Sequence, residues 1–143
     1  MLYCYLYRPI MDHLDDNKFH ISLFSLEMNS DKIMAKLLTT YIFEKYGKRL
    51  SLKQLLSVQK GFILNDECYK IVKDCVPWMK KVESMLTIYD KSATANSIYS
   101  HILKELENRG TFKETDKRKI YIPDDPELVH VVIVDHLAKF WRI

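Results

Sequence analysis

Apolar residues fall into short continuous runs and into longer stretches with helical spacing, so the sequence predicts strands that alternate with helices. Three short runs are rich in apolar or β-branched residues and predict strands at 19–26, 85–89 and 129–134. The last run (VHVVIV) is almost entirely β-branched and is expected to be buried on both faces of a sheet. This alternation is typical of a parallel α/β sheet with right-handed crossovers.

The segments between these runs carry helix caps and helix-ending residues. Helices are predicted at 2–14, from Asn29 or Ser30 to Gly47, at 51–57, from Asn65 through Val82, and from Thr94 to Gly110. Pro9 should bend or begin the first helix, and Pro77 should kink or split the fourth. Residues 111–128 are polar, charged and contain proline, which predicts a loop with room for a short extended piece at 119–122.

Composition narrows the class of protein without naming a function. The 143 residues are 48% hydrophobic and 29% charged, as expected of one globular domain. The net charge of +3 is compatible with nucleic-acid binding but does not argue for it. Three cysteines without a CxxC pair indicate buried free thiols in a reducing compartment. No apolar run is long enough to span a membrane and no signal peptide is recognisable, so a cytoplasmic location is predicted.

Two of the predicted strands end in an acidic residue. Glu27 follows the first strand and Asp135 follows the last. Ligands of parallel sheets bind beyond the carboxyl ends of the strands, where a carboxylate can hold Mg²⁺ or orient a water molecule. On neighbouring strands the two acids would face one cleft. A plainer explanation is that helices favour acids in their first turn, and spacing alone favours this explanation.

Several segments together resemble a known family. Residues 24–28 (FSLEM) resemble the FSLEM segment of DnaB-type replicative DNA helicases, and residues 131–137 (VVIVDHL) resemble the Walker B strand of that family. The Asp-His pair is similar to that of phage primase-helicases. Residues 57–67 and 86–98 resemble two intervening segments of the same family, and the match runs in the family's order from about residue 3 to residue 137.

The resemblance implies a fold and a set of site residues. It implies that residues 1–143 form a single, partial RecA-like ATPase domain, with a parallel sheet flanked by helices. Glu27 would be the catalytic base that activates water against the γ-phosphate of ATP. Asp135 would act on the Mg²⁺ of bound ATP through water. His136 is a candidate nucleotide contact, and a structural hydrogen bond is an equal alternative for it.

The phosphate-binding loop of such an ATPase, GxxxxGK[ST], does not occur among the 143 residues, since none of the three glycines begins one. The family places that loop just before the first predicted helix. The sequence therefore predicts a fragment of a helicase that, when intact, binds ATP, Mg²⁺ and single-stranded DNA, forms a homo-hexamer and needs no membrane. The isolated chain should be inactive, with exposed apolar sheet edges.

Two alternatives remain open from the sequence. One is a non-catalytic RecA-like module that acts in replisome assembly or protein interaction, and the other is an unrelated α/β protein. A zinc site is not predicted, because no HxxxH or His–Cys spacing occurs among the five histidines, which are His13, His20, His101, His130 and His136. The scattered tyrosines favour packing over base stacking, and no Ser/His/Asp triad can be assembled.

Overall fold

A computed structural model of the chain describes residues 3–56, 64–91 and 93–135. Its helices are a π-helical turn at Tyr3–Tyr7, α1 at Arg8–Asp12, α2 at Ser30–Tyr46, α3 at Leu52–Leu56, α4 at Asp66–Asp74, α5 at Val76–Met85 and α6 at Ala95–Glu107. Its strands are β1 at Phe19–Ser25, β2 at Leu86–Tyr89, β3 at Gly110–Thr115, β4 at Arg118–Pro123 and β5 at Val129–Asp135. Within these ranges no helix combines the length and the apolar character that crossing a bilayer requires.

The main sheet has three parallel strands in the order β2-β1-β5, flanked by helices, as the α/β prediction requires. Ile21 of β1 lies opposite Leu86 of β2 on one side and Val131 of β5 on the other. The central strand is therefore β1, and six of its seven residues are buried. Parallel neighbours need long crossovers, and α2 to α5 lie in the crossover from β1 to β2.

The expectation that the β-branched last strand is buried on both faces is wrong. In the described part of the chain, β5 lies at an edge of the sheet, with Val129 52% exposed and Val132 36% exposed. β-Branched residues fit any pleated, half-buried surface, so their abundance indicates that a strand forms but not how deeply the strand is buried.

The two faces of β1 have different surroundings. Side chains alternate along a strand, so Phe19, Ile21 and Leu23 share one face. That face joins a core with residues from the π-helical turn, α1, α2, α5 and β2, which are Leu6, Tyr7, Ile10, Ile33, Leu37, Leu38, Ile42, Trp78, Val82, Met85 and Leu86. The opposite face carries His20 and Ser22 and is covered by α6. The sheet thus has one apolar face and one mixed face, on which Phe24 is also buried and stacks on Tyr89.

Helix boundaries follow the predicted signals closely. The Asn29 side chain accepts a hydrogen bond from the first turn of α2, and Gly47 ends that helix in the left-handed conformation at φ 66°. The Asn65 side chain caps α4, and Thr94 forms a capping box at the start of α6. Pro77 lies in the first turn of α5, directly after the break from α4, which confirms the predicted split.

Two other expectations need correction. Residues 110–123 form an antiparallel hairpin of β3 and β4 rather than a loop, with Thr115 paired to Arg118 across a two-residue turn. Charged residues misled the prediction, because a hairpin that faces solvent tolerates them and gains from cross-strand pairs such as Phe112 and Tyr121. Of the three cysteines only Cys75 is buried; Cys68 is half-buried and Cys4 is exposed.

Candidate functional site

The two acids that end predicted strands lie at the same edge of the sheet. Asp135 is the register partner of Ser25, the last residue of β1, and Glu27 follows Ser25 by two positions. Both acids line one cavity of about 410 Å³. The expectation that they face a common cleft is therefore met in the geometry, and this cavity is referred to below as the acidic cavity.

The turn that carries Glu27 is fixed by local hydrogen bonds. The Ser25 hydroxyl donates to the carbonyl of Met28 at 2.7 Å and accepts from the amide of Met28 at 3.2 Å. The Asn29 cap then starts α2 directly after this turn. The backbone around Glu27 is thus held between the end of β1 and the start of a helix, which is the usual position of ligand-binding side chains in parallel sheets.

The rest of the lining comes mainly from the π-helical turn and from α2. The remaining lining residues are Tyr3, Tyr5, Tyr7, Met28, Lys36, Leu37, Thr39 and Thr40. Glu44 of α2 anchors the tyrosine wall, because it accepts hydrogen bonds from the hydroxyl of Tyr3 at 2.9 Å and of Tyr7 at 2.8 Å. The lining is therefore rich in oxygen atoms, from two carboxylates and several hydroxyls.

Charge in the acidic cavity is predominantly negative. Of the described residues that line it, Lys36 alone is cationic, and its Nζ lies 3.7 Å from the sulfur of Met28. Burial, followed by the negative charge of Asp135, raises the pKa of Tyr5. The Tyr5 hydroxyl therefore stays protonated at neutral pH and can donate a hydrogen bond. Oxygen ligands with a net negative charge suit a hard divalent cation.

A third strand also ends in an acid, and this acid has a structural role. Asp90 directly follows β2, and its carboxylate accepts a hydrogen bond from the backbone amide of Ser30 at 2.8 Å. That bond lowers the pKa of Asp90 and stabilises the first turn of α2. His136, the third predicted site residue, lies outside the described residues, as do residues 57–63 of the family-like segment.

A second polar cluster lies on the opposite face of the sheet, under α6. Ser22 of β1 donates to the Glu105 carboxylate, with its Oγ 2.8 Å from Oε2, and its Oγ lies 2.8 Å from Nε2 of His130 on β5. Nε2 of His130 is 3.1 Å from Oε2 of Glu105. Ligand atoms of His20, Glu105 and His130 all lie within 4.8 Å of one another. These three residues are called the His-Glu-His cluster below.

Residues of β2 orient the His-Glu-His cluster. The Tyr89 hydroxyl donates to Oε1 of Glu105, and the Thr87 hydroxyl lies 3.0 Å from Nε2 of His20. Burial alone would raise the pKa of Glu105, but hydrogen bonds from Tyr89 and Ser22, together with the charges of His130 and Arg109, outweigh burial and lower it. Glu105 is therefore ionised at neutral pH.

Burial and a nearby arginine keep the two histidines of the cluster uncharged. Burial lowers the pKa of both His20 and His130; the negative charge of Glu105 opposes this shift and the positive charge of Arg109 adds to it, so both pKa values lie below the ordinary value. The Nη1 atom of Arg109 is itself buried without a hydrogen-bond partner. At neutral pH the two imidazoles are therefore neutral, with ring nitrogens able to act as ligands.

Sequence reasoning missed the His-Glu-His cluster because its residues come from three separate elements. Glu105 and His130 lie 83 and 108 positions from Ser22 along the chain. A weak signal was nevertheless present: His20 and Ser22 alternate with apolar residues in β1, and His130 interrupts an otherwise apolar run. Polar residues at alternate positions of a central strand indicate a face that is buried against polar partners.

Comparisons of the chain with protein-family models, with curated proteins and with solved structures find no match. The likeness to DnaB-type helicases therefore stays a prediction. It rests on the sequence segments around Glu27 and Asp135.

Proposed function

We propose that the chain forms part of the RecA-like ATPase core of a DnaB-type replicative DNA helicase, in which ATP hydrolysis drives movement along single-stranded DNA. The observation that carries the proposal is the meeting of Glu27 and Asp135 in one cavity at the carboxyl edge of a parallel sheet. The segments around both acids resemble the corresponding segments of that family. A homo-hexameric ring, with ATP between subunits, is part of the proposal.

The residues of the acidic cavity fit the roles that the family assigns. Asp135 offers carboxylate oxygens to the hydration shell of Mg²⁺, whose preferred ligands are oxygens. Glu27 accepts a hydrogen bond from the attacking water and orients it. Lys36 supplies a positive charge in the same cavity. Bound Mg²⁺ would offset the charge that develops on the phosphates during transfer.

Phosphate binding is the step for which these residues are least equipped. A phosphate-binding loop uses consecutive backbone N–H groups and a lysine, and no GxxxxGK[ST] occurs in the 143 residues. We therefore expect the chain by itself to bind nucleotide weakly and to show no ATPase activity, with or without single-stranded DNA. Robust DNA-stimulated hydrolysis by residues 1–143 would contradict this expectation.

The first test concerns the divalent-cation site. Mn²⁺ replaces Mg²⁺ at oxygen sites and broadens nearby NMR signals, so we expect selective loss of amide signals at residues 25–28 and 133–135. Asp135→Asn should remove that broadening, whereas Asp124→Asn, which changes an exposed acid before β5, should not. The proposed role of Asp135 in Mg²⁺ binding would be contradicted if the broadened signals lay elsewhere than around the acidic cavity, or if Asp135→Asn left the broadening unchanged.

The second test separates the helicase proposal from its main alternative. The genomic sequence upstream of Met1, or a neighbouring gene, should encode a segment that ends in GxxxxGK[ST]. A protein that contains both parts should hydrolyse ATP, and Glu27→Gln should stop turnover while ATP binding persists. Turnover that survives in Glu27→Gln would refute the assigned base.

A non-catalytic module that acts in replisome assembly or protein interaction is the second candidate. The observation that favours it is the exposure of Val129 and Val132 on β5, the edge strand of the described sheet. An exposed apolar edge can pair with a strand of another protein. If no phosphate-binding segment is encoded upstream or nearby, this candidate replaces the helicase core.

A further inference from the structure

We propose that the His-Glu-His cluster is a binding site for a Zn²⁺-class transition-metal ion, separate from the acidic cavity and independent of the proposed helicase function. Two imidazoles and one carboxylate form a nitrogen-and-oxygen ligand set of the kind that binds zinc, with a fourth position left for water or a hydroxyl. The ligands come from β1, α6 and β5.

The distance between His130 and Glu105 is close to that of neighbouring ligands in a tetrahedral site. Zinc lies about 2.0–2.1 Å from nitrogen and oxygen ligands, which places neighbouring ligand atoms about 3.3 Å apart. Nε2 of His130 and Oε2 of Glu105 are 3.1 Å apart, and Oγ of Ser22 lies 2.8 Å from each. An ion between His130 and Glu105 would replace their present hydrogen bonds and would require these two ligands to separate by only a few tenths of an ångström. The ligand atom of His20 lies within 4.8 Å of both.

The surroundings of the cluster also resemble those of a metal site. Metal ligands are usually oriented by further hydrogen bonds, and here Tyr89 holds Glu105 while Thr87 holds His20. The side chains of His130 and Glu105 keep 11% and 15% of their surface exposed, which leaves a route for an ion to enter. The ligands are thus positioned by the fold and remain within reach of solvent.

The ligand types also decide which ion each site prefers. Imidazole nitrogens favour Zn²⁺ and related transition metals, whereas Mg²⁺ prefers oxygen. Mg²⁺ should therefore select the acidic cavity and Zn²⁺ the His-Glu-His cluster. Arg109 opposes cation binding, because its positive charge acts on all three ligands. We expect this charge to weaken the site without abolishing it.

Titration of the purified, metal-free chain with Co²⁺ and then Zn²⁺ tests the proposal. One Co²⁺ per chain should give the intense visible absorption of four-coordinate cobalt, and Zn²⁺ should displace it. His130→Gln and Glu105→Gln should weaken binding by more than the roughly 10–100-fold that follows loss of an outer-shell partner. The control His101→Gln, an exposed histidine on α6, should bind as the unmodified chain does.

Two outcomes would overturn the proposal. One is metal binding that persists unchanged in His130→Gln. The other is metal binding that disappears in Cys4→Ser, which would place the ion at the exposed thiol. Circular dichroism of each metal-free variant shows whether it folds. If His130→Gln or Glu105→Gln does not fold, NMR of the unmodified chain decides the question. Zn²⁺ should shift the ring nitrogens of His20 and His130 and spare those of His13 and His101, and the reverse pattern would exclude the site.

Discussion

The position of β1 between two parallel neighbours makes Ile21 a sensitive test of the sheet order. Its side chain is 0% exposed, and the residue lies opposite both Leu86 and Val131. Ile21→Ala removes buried carbon atoms from the centre of the core and leaves a cavity that its rigid neighbours cannot fill. Truncations of this kind cost about 4 kcal/mol of the free energy of unfolding.

Val132→Ala is the matched control, since it is also a truncation to alanine within the same sheet. Val132 is 36% exposed, so only part of its two lost carbon atoms was buried. At about 0.8 kcal/mol for each fully buried carbon group, the expected loss is about 1 kcal/mol. The two substitutions should therefore differ by about 3 kcal/mol, which is well above the error of the measurement.

Urea denaturation, followed by tryptophan fluorescence, to which the buried Trp78 contributes, measures both losses. In thermal denaturation a chain of this size should lose about 3 °C per kcal/mol, so about 12 °C is expected for Ile21→Ala. If Ile21→Ala does not fold, Ile21→Val gives a graded loss of about 1 kcal/mol. Equal losses for Ile21→Ala and Val132→Ala would refute the placement of β5 at an exposed edge.

Two further predictions concern a helix end and an ion pair. Gly47→Ala should lower the free energy of unfolding by about 1 kcal/mol. The cause is backbone strain alone, because φ is 66° at this position and no atom lies within 4 Å of an added Cβ. Gly47→Asn should cost less in the same urea titration, because asparagine tolerates the left-handed conformation better. A hydrogen bond from Lys18 lowers the pKa of Asp125 below its ordinary value of 3.8. The Lys18–Asp125 pair therefore stabilises the fold above pH 3.8, and this stabilisation is lost as the pH falls through the lowered pKa of Asp125. Melting temperatures should therefore favour the unmodified chain over Asp125→Asn near neutral pH and converge in acid, and a constant difference would contradict the assignment.

Local signals explain what could be predicted from the sequence. The Asn29 cap, the Gly47 stop and the break at Pro77 act within a few residues of themselves, so their effect can be predicted without a tertiary structure. The convergence of Glu27 and Asp135 was also predictable in outline, because all carboxyl ends of a parallel sheet share one edge. It required only that β1 and β5 be neighbours.

Long-range pairing explains what could not be predicted. The order β2-β1-β5 places the most β-branched strand at an edge, and composition carries no information about neighbours. The β3–β4 hairpin was missed because its charged residues face solvent while Phe112 and Tyr121 pair across it. The His-Glu-His cluster needed both the strand order and the packing of α6, and neither follows from residue spacing.

A single strand register connects the two candidate sites. His20 pairs with His130, and five residues later in both strands Ser25 pairs with Asp135, about 16 Å further along the sheet. An odd separation puts these pairs on opposite faces, so the His-Glu-His cluster and the acidic cavity use different sides of the same ladder. A slip of one residue between β1 and β5 would turn His130 away from Glu105 and shift Asp135 away from Glu27 together. Substitution of a ligand, by contrast, affects one site alone, so each site is an internal control for the other. If Asp135→Asn loses Mn²⁺ binding but keeps Zn²⁺ binding, a ligand has been lost and the sheet is intact. If both are lost, the sheet itself has been disturbed.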